Sequence, residues 1–375
     1  ELNTPRASQE RELIFAKTLL NGFATQCQHI HFGYAKWQDA IEISPSALIP
    51  NLQHAEETQS SGHIFAAFGK DADSCVLEKI TDIAPSYQPS ELINLKGNVS
   101  LLKQIALCPF MAFAKQRLQV NGIETAITHI DARIKGIVLH EILEECWQTL
   151  STQEKLLQLI AQNKLDEFLH TNIAKTLTRW QKRLPEILNE IWRQQETVRL
   201  HKLLKKWFMF EKEREAFNVM QHEKSITLHM ENITFNMRID RVDKLATGET
   251  VLIDYKTGLP TISSWFSNRP TEPQLPLYAI ADNNCDAISF AYLRSNKITF
   301  AGISNTESEV MKNVKPITKN RYTTVKDWDA LLSQWRVTFS NLLKTHIGGN
   351  ATVDPKSQEA CRYCDLDMLC RVRRG

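Results

Sequence analysis

The sequence predicts an α/β fold with a mixed central β-sheet flanked by helices, and an α+β arrangement of the same elements is the alternative. Apolar residues recur at helical spacing up to about Phe217, and from there they alternate with a period of two, which is typical of strands. The predicted order after Phe217 is three strands, a short helix, two strands and a long helix. This order favours one mixed sheet.

Composition sets broad limits on the chain. Its 375 residues are enough for two domains or one large one, and its 42% hydrophobic content is ordinary for a globular protein. The formal net charge of +2 says little about partners. No run of about 18 apolar residues predicts a membrane helix, and no signal-like stretch follows Glu1. We expect a cytoplasmic protein with no membrane partner, cut from a longer chain.

The N-terminal part differs from the rest of the chain. The segment 9–27 (QERELIFAKTLLNGFATQC) has the spacing of a helix, and 29–35 (HIHFGYA) has the spacing of a strand. Polar, turn-prone residues fill 44–62 and return near Glu91. These features predict a domain boundary near residue 95.

Helical patterns dominate from about residue 100 to residue 217. One helix is predicted over 100–120 with Ser100 as its N-cap, and a second begins at Asp131. Long helices then cover 153–217 with a break near Pro185. They form a large helical insertion ahead of the strands.

This helical region is rich in positive charge. Between Lys175 and Arg214 it holds 11 Lys and Arg against 5 Glu and no Asp. Large aromatic residues lie among these charges: Trp180, Trp192, Trp207 and Phe208. One interpretation is a solvated helical face with the tryptophans in the core. The other is a surface that faces nucleic acid backbone.

The alternating region gives the predicted strands and the helices between them. A hairpin is predicted from SITLHM and ITFNMRIDRVDKL, with the turn at MEN. The remaining predicted strands are 250–258, 287–294 and 297–303, and the predicted helices are 273–283 and 325–346.

Charged side chains interrupt the apolar strand VLIDYKT. Alternation places Asp254 and Lys256 side by side on one face, and Asp240 on the preceding strand can reach the same spot if the strands pair. Converging carboxylates repel unless a cation lies between them, and their oxygens suit Mg²⁺ or Mn²⁺. Such an ion polarises a phosphoryl oxygen, and Lys256 can orient the attacking water. A surface salt bridge on an exposed edge strand is the alternative.

Four stretches occur in the order GIVLHEILE, MRIDRVD, VLIDYKTG and PQLPLYAIA. Together they resemble the PD-(D/E)XK nucleases of the RecB type, which carry G-x-x-x-H on a helix, an acidic strand, D-Y-K-[TS]-G, and Q-x-x-x-Y on a following helix. The resemblance covers about residues 98–370. It implies a restriction-endonuclease-like core that hydrolyses phosphodiester bonds with a divalent metal. The implied substrate is DNA, as single strands or duplex ends.

The resemblance implies a role for each matched residue. His140, Asp240 and Asp254 would bind Mg²⁺ or Mn²⁺ together with the backbone carbonyl of Tyr255. Lys256 would be the catalytic lysine. Without this context, a lone His on a helix is more often structural.

The helix motif that follows the lysine would lie near the active site and the DNA backbone. It consists of Gln274 and Tyr278. Glu223, on the strand before Asp240, is either an extra ligand or DNA-orienting group, or an exposed strand residue.

The C-terminal CRYCDLDMLC carries Cys361, Cys364 and Cys370 as C-x2-C-x5-C. A C-x2-C pair chelates from a tight turn, and Cys108 is the candidate for a fourth ligand. The cysteines alone leave Zn²⁺ and an iron–sulfur cluster open. The resemblance favours a 4Fe-4S cluster, because some RecB-type nucleases, including AddB, place one Cys before the core and three after it in this spacing. The cluster would staple the C-terminal tail to the helix that opens the domain.

Residues 1–95 lack a phosphate-binding G-x-x-x-x-G-K-[ST] loop. They resemble the end of the helicase-like domain that precedes the nuclease in AddB-type proteins. Residues 96–375 would then be the nuclease domain, closed by the four-cysteine cluster. The expected partners are DNA and a helicase, or the helicase region of the parent chain, in repair or recombination.

Other functions are open at this point. One is a catalytically inactive DNA-binding module attached to a helicase-like protein, although intact Asp240, Asp254 and Lys256 argue against it. A nuclease of a CRISPR adaptation system shares the motifs, and a redox iron–sulfur protein would make them coincidental.

Overall fold

A computed structural model describes residues 8–30, 32–34, 37–38, 41–42, 44–49, 83–95, 97–121, 130–185, 187–258, 261–282, 284–362 and 364–371. The chain divides into two units, Glu1–Lys79 and Ile80–Gly375. The predicted helicase-like region at 1–95 is described only in part and stays a prediction.

The smaller unit holds a helix and a short hairpin in its described part. Helix α1 (Gln9–Gln26) begins after Ser8, whose hydroxyl accepts a hydrogen bond from the Arg11 N–H at 3.4 Å. This confirms the predicted helix, none of whose residues is buried. Strands β1 (Trp37–Gln38) and β2 (Ile41–Glu42) pair antiparallel.

The strand predicted over 29–35 is wrong where that segment is described. Residues 29–30 and 32–34 belong to no strand. Alternation forms a strand only where a neighbouring strand completes the backbone hydrogen bonds, and no described segment does so here.

The larger unit is built around a sheet and many helices. Its helices, in the described part, are α2 (Pro89–Asn94), α3 (Val99–Leu107), α4 (Pro109–Ala112), α5 (Ala132–Leu150), α6 (Gln153–Ala161), α7 (Leu165–Arg183), α8 (Glu190–Lys212), α9 (Gln274–Ala281), α10 (Trp328–Ile347), α11 (Gln358–Arg362) and α12 (Asp367–Cys370). Among the described helices, none is long and apolar enough to span a membrane.

The helix predicted over 100–120 is wrong in its N-cap and in its continuity. Asn98 is the N-cap, and its side chain accepts the Leu101 N–H at 2.7 Å. Helix α3 ends at Leu107 because Cys108 is extended, with φ −166°, and Pro109 has no N–H with which to continue the helix. Helix α4 and a π-helical turn, Phe113–Arg117, complete the segment.

The helices predicted farther along are confirmed. Asp131 caps α5, and its carboxylate accepts the Ile134 N–H at 2.8 Å. The region 153–217 contains α6, α7 and α8. Asn163, with φ 55°, makes the turn between the first two, and the second break lies beside Pro185.

The aromatic residues of this region lie in the core, as the first interpretation predicts, and a charged surface that faces nucleic acid stays a prediction. Trp207 and Phe208 are fully buried, Trp180 is 9% exposed, and Trp192 packs against the same core. Many of the arginines pair with carboxylates of the same helical layer: Arg179 and Arg183 with Glu141, Arg193 with Glu190, and Arg199 with Glu196. The charges form a solvated helical face above a tryptophan-rich core.

Six strands form one mixed sheet in the described part of the larger unit, in the order β3-β4-β5-β6-β7-β8. They are β3 (Phe217–Met230), β4 (Ile233–Leu245), β5 (Thr250–Lys256), β6 (Ala287–Arg294), β7 (Lys297–Ser304) and β8 (Val314–Pro316). The pairs β5–β6 and β7–β8 are parallel and the others are antiparallel. The predicted strands and the mixed sheet are confirmed.

Local sequence explains two of the connections. Glu231 and Asn232 both have positive φ, 50° and 62°, which is the geometry of the two-residue turns that join twisted antiparallel strands. The parallel pairing of β5 with β6 requires a crossover, and α9 lies in that crossover.

Helices cover both faces of the sheet. On one face, which we call the α9 face, Leu252, Phe290 and Tyr292 pack with residues of α3, α9 and α10. On the other, the α8 face, Ile253 and Ala291 pack with residues of α5, α7 and α8. The two apolar cores hold the sheet between them.

The first described residues of the larger unit pair with residues at the end of α10 and just after it. The Ala84 N–H donates to the Gly349 carbonyl at 2.8 Å, and the Tyr87 N–H donates to the Ile347 carbonyl at 2.8 Å. The Tyr87 hydroxyl lies 3.0 Å from His346 Nε2. Gly349 has φ +89°, and a Cβ there would lie 1.9 Å from the Ala84 oxygen. We call these contacts the clasp.

A buried ion network lies on the α8 face behind the end of β5. The Arg241 guanidinium donates to Asp243 Oδ1 and Glu211 Oε1, both at 2.6 Å, and to the Tyr255 hydroxyl at 3.2 Å. Arg214 donates to Glu211 Oε2 at 2.6 Å. Arg241, Glu211 and Asp243 are fully buried. The network ties α8 to β4 and β5.

Removal of one carboxylate from this network leaves a buried guanidinium charge without compensation. We expect Glu211→Ala to lower the free energy of unfolding by about 3–5 kcal/mol. Urea denaturation followed by tryptophan fluorescence measures the change. The control is Glu213→Ala, an exposed position beside it, which should shift stability by less than about 0.5 kcal/mol. Equal effects would contradict a special role for the network.

Candidate active site

The predicted side-by-side arrangement of Asp254 and Lys256 is present at the end of β5. Asp254 is paired in register with Phe290, and Lys256 with Tyr292, so both side chains lie on the α9 face. Lys256 Nζ lies 2.6 Å from Asp254 Oδ2. Because β5 is a central strand, the surface salt bridge on an edge strand is excluded.

Asp240 lies where β4 separates from β5. The ladder between these strands ends at the pair Arg241 and Ile253. Beyond it, Asp240 Oδ2 accepts the Tyr255 N–H at 2.9 Å, in place of a backbone carbonyl. The alternation of buried and exposed residues along β4 also breaks at Asp240. The carboxylate therefore stays at the mouth of the gap, close to Asp254.

Helix α5 brings His140 to the same place. Its Nδ1 lies 3.4 Å from Asp240 Oδ2, and its ring meets Tyr255 edge to face with centroids 5.8 Å apart. One turn earlier, a Cβ on Gly136 would lie 3.6 Å from Thr257 Oγ1, so the helix passes close over the strand end. The G-x-x-x-H spacing thus places a small residue at the crossing and the imidazole above the carboxylates.

Gln274 and Tyr278 lie one turn apart on α9. Tyr278 is 1% exposed, and Gln274 is hydrogen-bonded to its hydroxyl. Burial raises the pKa of Tyr278, and the charges of Asp240 and Asp254 contribute to the rise. This pair therefore borders the carboxylates from the crossover helix. The side chain of Glu223 lies outside the described residues, and its role as a ligand or DNA-orienting group stays a prediction.

The two carboxylates of the site differ in the direction of their pKa shifts. Burial raises the pKa of Asp254 to about 7, against the attraction of Lys256. Burial would also raise the pKa of Asp240, but hydrogen bonds from His140 and the Tyr255 N–H bring it below its usual value. Burial lowers the pKa of His140, but Asp240 outweighs this effect and the net shift is upward. Asp254 is the carboxylate whose burial outweighs its ion pair with Lys256.

An open cleft of about 400 Å³ leads to this cluster. His140, Lys256 and two arginines, Arg133 and Arg238, line it. The arginines were not among the residues singled out in the sequence. Arg238 had a usable signal, since it precedes Asp240 by two positions in the same strand.

Glu272 is a further residue that sequence reasoning missed. Its Oε2 lies 3.9 Å from Lys256 Nζ, and its Oε1 lies 2.6 Å from Lys103 Nζ on α3. Glu272 therefore links the lysine to a second element. Its position two residues before Gln274 was the available signal.

The four predicted cysteine ligands line one pocket away from the sheet residues: Cys108, Cys361, Cys364 and Cys370. Cys108 is buried against Met111, Ala114 and Leu366. Backbone contacts hold the tail there, since the Lys356 N–H donates to the Leu107 carbonyl at 2.8 Å. The fold thus brings together thiols that are 253 positions apart in sequence, between Cys108 and Cys361.

In the described residues, no group of three or more His, Cys, Asp or Glu side chains is placed so that it could hold a metal ion. The carboxylates instead contact the neighbouring cationic and imidazole groups, Lys256 with Asp254 and His140 with Asp240.

The PD-(D/E)XK nuclease superfamily matches residues 98–371, and the chain belongs to this superfamily. No curated protein matches the chain. It is similar to the solved structure of SSO0001, with 13% identity, 72% of this chain and 94% of the other covered, and a TM-score of 0.27. A structure from Eubacterium rectale titled "Putative exonuclease" has 13% identity, 79% and 93% coverage, and a TM-score of 0.37.

The raised pKa of Asp254 predicts how the stability of the metal-free protein, kept in EDTA, depends on pH. The folded pKa is about 7 against a usual value of 3.8, so the folded state holds the proton that the unfolded state releases. Stability should therefore fall as pH rises from about 4 to about 7. Asp254→Asn removes this penalty and should be more stable than the parent above pH 7, by on the order of 1–3 kcal/mol.

Thermal unfolding over this pH range gives the difference between the two proteins. The gap should widen between about pH 4 and pH 7 and then stay level. Asp329→Asn, at an exposed position on α10, is the control and should follow the parent. A gap that does not change with pH would contradict the assignment.

Proposed function

We propose that the chain is a Mg²⁺- or Mn²⁺-dependent deoxyribonuclease of the RecB/AddB type, acting as an exonuclease on single-stranded DNA or duplex ends. One observation carries the proposal: Asp240, Asp254 and Lys256 converge on the α9 face where β4 and β5 separate. Membership of the superfamily supports phosphodiester hydrolysis.

The residues present suit a hard divalent cation. Asp254 Oδ2 is buried, and its partner in the described structure is Lys256 Nζ, 2.6 Å away. His140, Asp240, Asp254 and the Tyr255 carbonyl would hold the ion, a donor set of three oxygen groups and one imidazole that Mg²⁺ or Mn²⁺ accepts. When bound, the ion would polarise a phosphoryl oxygen and lower the pKa of a bound water.

The chain supplies the remaining parts of the reaction. Burial lowers the pKa of Lys256, but the charge of Asp254 outweighs this and the net shift is upward. The lysine therefore stays protonated and acts as a donor, which orients the attacking water and stabilises charge on the phosphate. The Gln274 amide fixes the Tyr278 hydroxyl beside the carboxylates. Arg133 and Arg238 lie in the cleft where the DNA backbone would enter.

Replacement of the lysine tests the proposed chemistry. We expect Lys256→Ala to lower the cleavage rate by about 10²-fold or more, because it removes a donor aimed at developing charge. The assay uses labelled single-stranded and duplex DNA with Mg²⁺, Mn²⁺ or EDTA. Binding measured in EDTA should change little.

The matched control for this experiment is Lys202→Ala, at an exposed position on α8, which should cleave like the parent. Loss of folding and binding together with cleavage in Lys256→Ala would indicate a structural lysine. If the folded, metal-loaded parent cuts neither substrate, the inactive DNA-binding module becomes the better assignment.

The four cysteines support a second part of the proposal. Cys108, Cys361, Cys364 and Cys370 line one pocket, and we propose that they hold a 4Fe-4S cluster, with Zn²⁺ as the alternative. The cluster would be structural, because its ligands join the C-terminal tail to the start of α4.

Metal analysis of protein purified without air distinguishes these possibilities. A 4Fe-4S cluster predicts about four iron and four acid-labile sulfide per chain, and Zn²⁺ predicts one metal and no sulfide. Cys364→Ser should lose the group and unfold at lower temperature. Cys27→Ser, at an exposed position, should retain it. A Cys364→Ser protein of unchanged stability would contradict the structural role.

The wider setting rests on the same assignment. Residues 1–95 would be the end of a helicase-like region and residues 96–375 the nuclease domain. The protein would act in the cytoplasm in DNA repair or recombination, on strands supplied by a helicase.

A further inference from the structure

A second cleft lies at the β7–β8 side of the sheet and has a volume of about 660 Å³. We call it the β8 cleft. Its lining includes four cationic side chains: Lys297, Lys315, Lys319 and Arg321. All four are exposed, and no residue that lines the cleft is acidic.

The charge of this cleft is not neutralised within the described structure. No described carboxylate forms an ion pair with any of its four cations, which take part in none of the salt bridges. The arginines of α7 and α8 differ, since Arg179 and Arg199 each have a carboxylate partner. An anion bound in the β8 cleft would supply the missing charge.

The cleft opens on the same face of the sheet as the proposed catalytic residues. Lys256 is in register with Tyr292 on β6, and Tyr292 is in register with Thr299 on β7, which lines the cleft. Two strand spacings separate β5 from β7, about 10 Å. Lys297 Nζ lies 5.1 Å from the Tyr292 ring, which thus lies between the two sites. A chain of phosphates held at Lys256 would reach the cleft within a few nucleotides.

The lining of the β8 cleft also includes an exposed aromatic ring on which a nucleotide base could stack. Tyr322 is 39% exposed, and its ring lies nearly parallel to Phe266, at 15° and 6.4 Å between centroids. Arg321 lies 5.0 Å from the same ring. On the opposite wall, Asn313 donates to Thr299 Oγ1 at 2.8 Å. Cations beside an exposed aromatic ring are the combination that binds single-stranded nucleic acid, through phosphates and stacked bases.

We propose that the β8 cleft binds the segment of a nucleic acid single strand that flanks the bond to be cut. This inference rests on the proposed nuclease function, since it extends the strand from that site. Lys315, Lys319 and Arg321 contact phosphates, and Tyr322 stacks on a base. The cleft thereby favours single strands over duplexes, whose bases are not free to stack.

The test compares two variants that lose equal charge. Lys315→Ala/Lys319→Ala/Arg321→Ala removes three cations of the β8 cleft. The control, Lys182→Ala/Lys202→Ala/Lys212→Ala, removes three exposed lysines of α7 and α8. Binding of an oligothymidylate of about 16 nucleotides is measured by fluorescence anisotropy in EDTA, which prevents cutting. Salt is varied from about 50 to 200 mM. Circular dichroism and thermal unfolding check each fold.

We expect the cleft variant to bind about tenfold more weakly, with a slope of log K against log salt smaller by about 2, because each lost phosphate contact removes about 0.7. The helical control should bind within about twofold of the parent. Lys315→Gln/Lys319→Gln/Arg321→Gln, which keeps the side-chain bulk, should behave like the alanine variant. Equal losses in cleft and control variants, or no loss in either, would overturn the proposal.

Further experiments distinguish a nucleic acid strand from other anions in the β8 cleft. They also distinguish failure of the cleft proposal from failure of the nuclease proposal. If the affinity of the cleft variant for thymidine monophosphate or polyglutamate falls as strongly as its affinity for the oligonucleotide, the cleft is a general anion site and the proposal fails. If the parent cuts DNA with Mg²⁺ and the cleft variant cuts and binds equally well, the cleft proposal alone fails. If cleft-dependent binding is present but the parent never cuts, the nuclease proposal alone fails.

Discussion

The position of the proposed active-site residues depends on a guanidinium buried on the other side of the sheet. Arg241 is held between Glu211 and Asp243 and also contacts the Tyr255 hydroxyl. A buried charge of this kind is tolerated only with its partners in place, so α8, β4 and β5 are held in one arrangement. With Arg241 and Tyr255 turned toward the α8 face, Asp254 and Lys256 necessarily face the other way. The network therefore sets which side of β5 carries the proposed chemistry.

The site itself is arranged at the point where a ladder ends. Asp240 accepts the Tyr255 N–H, so the carboxylate completes the backbone hydrogen bonding at the place where the strands begin to separate. Asp254, one position earlier on β5, is buried, and burial raises its pKa to about 7 although Lys256 Nζ lies 2.6 Å away. A site that is unfavourable in the absence of a counter-charge is one in which a cation gives the largest gain in stability. The fold and the chemistry that we propose are linked through this one side chain.

Sequence reasoning recovered the mixed sheet, five of its six described strands and the residue pair Asp254 and Lys256, because alternation and helical spacing depend on local geometry alone. It did not predict the three-residue strand β8. It placed the N-cap at Ser100 where Asn98 acts, since either residue type can cap a helix and only the backbone decides. It singled out the charges of α7 and α8 but missed the β8 cleft. The charge count did not show all the ion pairs, because Glu141, which pairs with Arg179 and Arg183, lies on α5, outside the counted segment. Glu272 was missed for the same reason, because its contact with Lys103 joins distant segments.

The clasp has a mechanical consequence for the larger unit. Ala84 and Tyr87 are hydrogen-bonded to Gly349 and Ile347. The first described segment of the larger unit therefore lies beside the segment at the end of α10. A pulling force applied between these two points would load a few backbone hydrogen bonds one after another, while the sheet and its two cores stayed unstrained. The unit would resist stretching at the clasp first, and its opening would leave the register of β4 and β5, and with it the spacing of the carboxylates, intact.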